Sequence, residues 1–179
     1  MLKDVVKYLT NQLQLYLDKD HHQQDGITVK VAPLGKETKQ EMNKLVVCLV
    51  NVERETAGGI VPTRNHQLNV TDIGNPPLYI NVNIVMAAVF EEKKYEEGLS
   101  VLSDTLLFIQ SHTSFLYKNT TYTLELISPN SQELNNIWST LGGQYYPSVL
   151  CKLRRLFFDS HELQSVVKDI ESIEVDVRK

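Results

Sequence analysis

Residues able to do chemistry are plentiful in this sequence, but they do not form patterns. The five histidines, His21, His22, His66, His112 and His161, are scattered and lack Cys or Asp partners at a recognisable spacing. His21 and His22 are adjacent in a polar stretch and invite a metal. Neighbouring loop histidines rarely converge on one ion without further ligands, and none stands near, so the stretch reads as solvated loop. Cys48 and Cys151 lie inside apolar runs. They read as reduced core residues, with no CxxC or Cys/His cluster to hold zinc. The Gly58-Gly59 pair lacks the Lys-Ser/Thr and the helix opening of a phosphate loop. No GxSxG, HExxH, Walker or dinucleotide fingerprint is found. Glu53, Glu55, Glu91, Glu92 and Glu125 fall on faces expected to be solvated and read as surface charges rather than general acids. The expectation is a non-enzymatic protein with no catalytic residue, no metal and no cofactor.

One charged cluster stands out, Lys152, Arg154 and Arg155. In a strand, Lys152 and Arg154 share a face and Arg155 points the opposite way. Basic residues interleaved with Leu153 and Leu156 suit an interface rim, so the cluster is a candidate contact for an acidic arm of a partner.

The elements that must position these residues follow from periodicity. Leu124 to Phe158 is the most informative stretch. A strand runs into a helix whose N-cap is Asn130, with Glu133 three residues on completing a capping-box pattern. Leu134, Ile137, Trp138 and Leu141 form its apolar stripe. Gly142 and Gly143 end it, Tyr145 to Pro147 turn the chain, and a strand with Val149, Cys151 and Leu153 on one face follows. Upstream, residues 2–17 read as an amphipathic helix through Leu2, Val5, Val6, Leu9, Leu13, Tyr16 and Leu17. Residues 18–26 read as a polar turn, 27–33 as a strand and 34–43 as a loop. The strand 44–53 is apolar on both faces and so central in a sheet.

Residues 56–76 show no periodicity and read as an interaction loop containing Gly58 and Gly59. The strand 78–90 alternates Leu78, Ile80, Val82 and Ile84 with Tyr79, Asn81 and Asn83. The asparagines mark a face open to water or to a partner. A helix spans 95–112 with Tyr95, Leu99, Leu102, Leu106 and Ile109 as its buried stripe. Val101, Leu107 and Phe108 widen that stripe, so the helix is either deeply buried or covered on a second side by a neighbour. Residues 115–119 read as a connection and 121–127 as a strand. In the tail, Leu163, Val166, Val167 and Ile170 fit a short helix. Ile173, Val175 and Val177 then alternate with charged residues as a strand that pairs within its own sheet or extends a neighbour's.

The chain has 179 residues, 42% of them hydrophobic and 22% charged, with a net charge of −4. That length and composition suit one soluble domain with a substantial core, and the mild acidity gives no footprint for nucleic acid. Asp4 and Lys7 interrupt the N-terminal apolar residues, so no signal peptide is read there. The longest apolar run, Ile84 to Phe90, is too short to span a bilayer. The two sequons, at Asn69 and Asn119, read as chance. The fold expected is α+β, a mostly antiparallel sheet of about five strands packed with two or three helices. It divides into a core domain, 1–158, and a C-terminal helix-and-strand arm, 159–179.

The run ELNNIWSTLGGQYYPSVLCKLR resembles the closing segment of the cap proteins of bacterial extracellular contractile injection systems, phage-tail-like particles such as the antifeeding prophage. The resemblance extends, in order, to LKDVVKYLTNQLQLYL, NKLVVCLVNVERE, PPLYINVNIVMAA and the helix after it. It implies a tail-terminator-like architecture and a homohexameric ring that closes the inner tube and contractile sheath. The partners implied are further copies of the chain and the tube and sheath subunits, with no nucleic acid and no membrane insertion. The location implied is the bacterial cytoplasm during assembly and the particle afterwards. Two alternatives stand beside this reading: a neck or adaptor protein of a phage tail, and a small-molecule-binding domain or enzyme with the 56–76 loop as a lid.

Overall fold

Every residue of Lys44–Arg54 in the upstream half of the strand is buried, and the strand lies inside a sheet as its two apolar faces require. A computed structural model of the chain describes residues 1–20, 26–35, 42–55, 64–67, 70–74, 78–158 and 163–168. The elements in order are α1 (Leu2–Asp20), β1 (Thr28–Val31), β2 (Lys44–Arg54), β3 (Arg64–Gln67), β4 (Val70–Gly74), β5 (Leu78–Val89), a 3-10 turn (Glu92–Lys94), α2 (Tyr95–Ser111), β6 (Ser114–Tyr117), β7 (Thr120–Ile127), α3 (Ser131–Thr140), β8 (Ser148–Phe158) and β9 (Leu163–Lys168).

The chain forms two compact units. One comprises Met1–Glu53 with Ile80–Leu156, and the other Arg54–Tyr79 with Phe157–Lys179. This differs from the expected split at residue 158, because 54–79 leaves the core sequence and groups with the tail.

The first unit is built on a six-stranded sheet in the order β1-β2-β5-β8-β7-β6. β1 pairs parallel with β2, while β6–β7 and β7–β8 pair antiparallel, so the sheet is mixed and α+β holds with one strand more than expected. α1 buries Val5, Val6, Leu9, Leu13 and Leu17, the stripe its spacing predicts. The helix runs on to Asp20, into the stretch read as a turn. Gln14 ties α1 to β1: its Nε2 donates to the Ile27 carbonyl at 2.7 Å and its Oε1 accepts from the Val29 amide at 2.7 Å. A side-chain amide thus meets backbone groups of an edge strand that would otherwise be open to a stray partner.

Residues 115–119, expected as a simple connection, hold most of β6 and a tight hairpin into β7. Lys118 and Asn119 both have positive φ, 47° and 60°, as a two-residue turn matched to strand twist demands.

α2 buries Gly98, Val101, Leu102, Thr105, Phe108 and Ile109. Of the expected stripe only Leu102 and Ile109 are buried; Tyr95, Leu99 and Leu106 are exposed. The reason is Gly98. A Cβ there would come within 3.1 Å of the Phe90 ring, so the helix seats its glycine against Phe90 and turns its second apolar face outward.

α3 is capped as predicted. Asn130 Oδ1 accepts from the Gln132 and Glu133 amides at 3.0 and 2.9 Å, and Glu133 Oε2 accepts from the Asn130 amide at 3.0 Å. Asn130→Ala should therefore lower stability by about 1 kcal/mol, read from urea midpoints, whereas Asn130→Asp should stay near wild type. Equal losses in both would remove the cap from the account. Gly142 and Gly143 close the helix at φ 117° and 78°. A side chain at Gly142 would also press on the Gly35 Cα at 3.3 Å.

The second unit contains a three-stranded sheet in the order β3-β4-β9, antiparallel throughout. Two expectations are corrected here. Residues 56–76 are not structureless, since β3 and β4 form within them, which removes the uninterrupted loop that a lid would have used. Leu163, Val166 and Val167 lie on a strand rather than a helix. A segment this short cannot sustain a helix alone, and its paired valines suit the pleated surface that β4 offers. Among the described residues, no helix is long and apolar enough to cross a membrane.

Candidate assembly interface

The charged cluster on β8 faces its own sheet first. Lys152 Nζ lies 2.8 Å from Glu53 Oε2 on β2, and Asn83 Nδ2 on β5 donates to the same carboxylate through Oε1. These contacts, Lys152 first and Asn83 second, hold the Glu53 carboxyl below the usual range. Arg154 Nε donates to Glu125 Oε2 at 2.8 Å, across to β7. The row Glu53, Asn83, Lys152, Arg154, Glu125 is thus a polar ladder knitting four strands of one face. Pairs this exposed each contribute about 1 kcal/mol or less, so they fix strand register more than they add stability.

Arg155 departs from the expected alternation. Its φ is 69°, and it is exposed rather than turned towards the opposite, core-facing side. The irregularity lets Leu153 and Leu156, three apart, both bury completely. A positive φ at a residue with a side chain marks a bulge that re-aims a strand. Asn81 is buried at 5% exposure, so its side of β5 is not open as expected; Asn83 is half-buried beside Glu53. Gly58, Gly59, Ile173, Val175 and Val177 lie outside the described residues, as do His21, His22 and His161. His112 stacks on Phe108 at 4.6 Å between ring centroids, a packing role. Among the described residues no group of three or more His, Cys, Asp or Glu could hold a metal ion. Both cysteines are free and buried.

An apolar groove of about 280 Å³ opens where α3 crosses the sheet, lined by Leu106, Leu126, Leu134, Ile137 and Trp138 among others. Its floor is firm. Trp138 packs in a buried cluster with Val46, Cys48, Val85, Ala87, Val89 and Tyr146. Its rim is open: Leu106 is 41% exposed and Leu126 51%. Sequence reasoning missed this site. The signal was the excess of apolar residues on α2, which the second, outward face now explains.

Residues 4–172 match the family model of the Pvc16 N-terminal domain. A comparison with curated protein sequences finds no match. Among solved structures, the sheath/tube terminator of PVC, an extracellular contractile injection system in its extended state, aligns with a TM-score of 0.73 at 14% identity, over 100% of this chain and 64% of that one. The tube-terminating cap of the anti-feeding prophage aligns with a TM-score of 0.68 at 14% identity, over 99% of this chain and 62% of that one. The chain thus spans a little under two thirds of each neighbour.

Proposed function

This chain belongs to the Pvc16 N-terminal domain family, and on that premise we propose that it is a structural cap, a homohexameric ring that terminates the inner tube and contractile sheath of a phage-tail-like injection particle. The observation that carries the reading is the agreement in fold with two tube terminators over essentially the whole chain. The action is steric and adhesive. One surface of the ring matches the last layer of tube and sheath, and the opposite surface accepts no further subunit. Its partners are further copies of itself and the tube and sheath subunits. Assembly takes place in the bacterial cytoplasm, and the cap then stays with the particle.

Adhesion has to survive sheath contraction, which favours strand addition over rim contacts alone. The segment carrying Ile173, Val175 and Val177 is the arm we assign to that role, pairing with a sheath subunit or a ring neighbour. Arg155, exposed on the bulge of β8, is the member of the basic cluster best placed to meet an acidic partner.

The test is assembly of tube and sheath with the chain supplied, omitted, or truncated from Ser172 onward, with particle lengths and ends scored by electron microscopy. Wild-type chain should give one sharp length and blunt closed ends. Its omission should give a broad distribution, and truncation should leave a folded protein that no longer caps. Equal length distributions with and without the chain would overturn the cap reading. Normal capping by the truncated form would overturn the arm alone.

A further inference from the structure

The six-stranded sheet has two outer strands, β1 and β6, and they end it differently. Beyond β1 the Ala32 amide donates to the Val47 carbonyl of β2 at 3.2 Å. Alternation then points the backbone groups of Thr28 and Lys30 at β2 and those of Ile27 and Val29 away from it. The outward groups are the ones that Gln14 bonds, which closes the middle of that edge. β6 has no such guard among the described residues. The Leu124 amide donates to the Thr113 carbonyl at 2.9 Å, and the pairing alternates from there along the hairpin. Phe115 and Tyr117 face Tyr122 and Thr120 as bonded pairs, whereas the amides and carbonyls of Ser114 and Leu116 point outward. An outer strand is commonly protected by a charge or a proline along its length. β6 carries Leu116 instead, 61% exposed, and Lys118 stands beyond it in the turn.

The two faces beside this open edge differ in chemistry. Ser114 and Leu116 lie on one of them. On the other, Phe115 and Tyr117 pack on Tyr8 of α1, with ring centroids 5.8 and 4.9 Å apart, and Lys118 Nζ sits 5.4 Å above the Tyr117 ring. The Asp4 carboxylate near Lys118 is bonded by the Met1 ammonium at 3.1 Å, so it is already engaged. A strand laid along β6 sets alternate side chains on these two faces. Apolar residues suit the side of Leu116, and carboxylates suit the side of Lys118. The run Ile173-Glu174-Val175-Asp176-Val177, outside the described residues, has that alternation in its sequence.

We infer that β6 is the edge that receives the arm: residues 173–177 of one copy add as a further strand at Ser114 and Leu116 of the next copy. The inference rests on the cap reading for its ring and deepens the role given to the arm by naming the edge it pairs with. The outward backbone groups of β6 supply the bonds, and the two unlike faces set the register. Donor and acceptor are different parts of one chain, so each copy gives a strand and takes one. Such head-to-tail contacts close into rings when the rotation allows. The chain carries both halves of the contact, and the open edge needs no other protein to fill it.

The test uses the full chain with Ser114→Cys in one preparation and a cysteine in the arm in another; Ser114 is exposed, and the native cysteines are buried. The arm variants are Ile173→Cys, Val175→Cys and Val177→Cys, with Glu174→Cys and Asp176→Cys as the opposite parity. Each pair is mixed, assembled with tube and sheath subunits and oxidised. The expected result is a disulfide-linked product at twice the chain mass of 20.5 kDa from the apolar positions and little from the acidic ones. Adding Leu116→Pro to the Ser114→Cys chain removes an outward amide at a place where an outer strand tolerates proline. Circular dichroism should stay unchanged, and the linked yield should fall roughly fivefold, as the loss of one hydrogen bond implies. Leu116→Lys, which keeps the backbone and charges the edge, should lower the yield in the same way and serves if proline unfolds the hairpin. Absence of the linked product overturns the inference, whether or not tubes are capped. So does linking at both parities alike, which is a loose encounter, or an arm linked to sheath alone, which keeps the arm but gives it another receiver. Particle length in the same samples reports separately on the cap reading.

Discussion

Trp138→Ala should cost about 3–5 kcal/mol of folding stability, the largest effect we expect of a single substitution here. The indole is 5% exposed and sits between α3 and the sheet, against Tyr146 at 6.0 Å and Tyr145 at 5.4 Å between ring centroids. Truncation would leave a void beneath the groove that Leu134 and Leu141 cannot fill, since both are tied to a helix capped at its start and closed by Gly142. Trp138→Phe is the informative control. The indole Nε1 is buried without a hydrogen-bond partner among the described residues, so phenylalanine gives up volume but leaves no orphaned donor. It should cost about 1 kcal/mol. Urea unfolding followed by circular dichroism measures both, because Trp138 is the chain's single tryptophan and takes the fluorescence with it. If alanine and phenylalanine prove equally mild, α3 does not anchor the fold.

Stability should also fall steeply in alkali. Cys151 is fully buried on β8, and that burial pushes its thiol from 9.0 up to about 12. The folded-state value lies above the unfolded one, so the contribution is complete below about pH 9 and is lost as pH rises towards about 12. Over that window the unfolded chain releases a proton that the folded chain keeps, and stability drops by about 1.4 kcal/mol per pH unit. Cys48 and Tyr146 shift upward for the same reason and steepen the decline. Urea midpoints taken at intervals across that window should trace it, and Cys151→Ala should flatten the curve. A wild-type curve that stays level across the window would remove burial of Cys151 as its cause. The same burial predicts that neither thiol reacts with alkylating reagents until the chain is unfolded.

What was legible in the sequence was local. Asn130 and Glu133 are three residues apart, and the cap they form needs nothing from elsewhere. The stripe of α1 and the two apolar faces of β2 likewise declare themselves within one window. Partners distant in sequence stayed hidden: Lys152 bonds Glu53 across 99 positions and Arg154 bonds Glu125 across 29. The basic cluster therefore read as a free interface although the charges of Lys152 and Arg154 are met in the sheet. Short strands were missed where pairing, not propensity, makes them; β3, β6 and β9 are each six residues or fewer. α2 was apolar on two faces, and periodicity could not choose between them. Gly98 did choose, through an approach to Phe90 that no spacing rule sees. The bulge at Arg155 rests on one dihedral angle, and a strict alternation has no place for it.

The interruption of the core sequence between Glu53 and Ile80 bears on how such a protein can diversify. Unit 1 is assembled from two stretches of chain, and the excursion between them returns to the same sheet. Closing a longer excursion adds only about 0.6 kcal/mol per doubling of its length. Insertions there are therefore nearly neutral to the core, whereas an insertion within β2 or β5 would break pairing across the sheet. The segment behaves as an exchangeable cassette. Selection can rewrite it, together with the tail of the same unit, to follow changes in whatever it meets, while the residues around Trp138 stay fixed. A domain of this construction can keep one core and still be refitted to different partners.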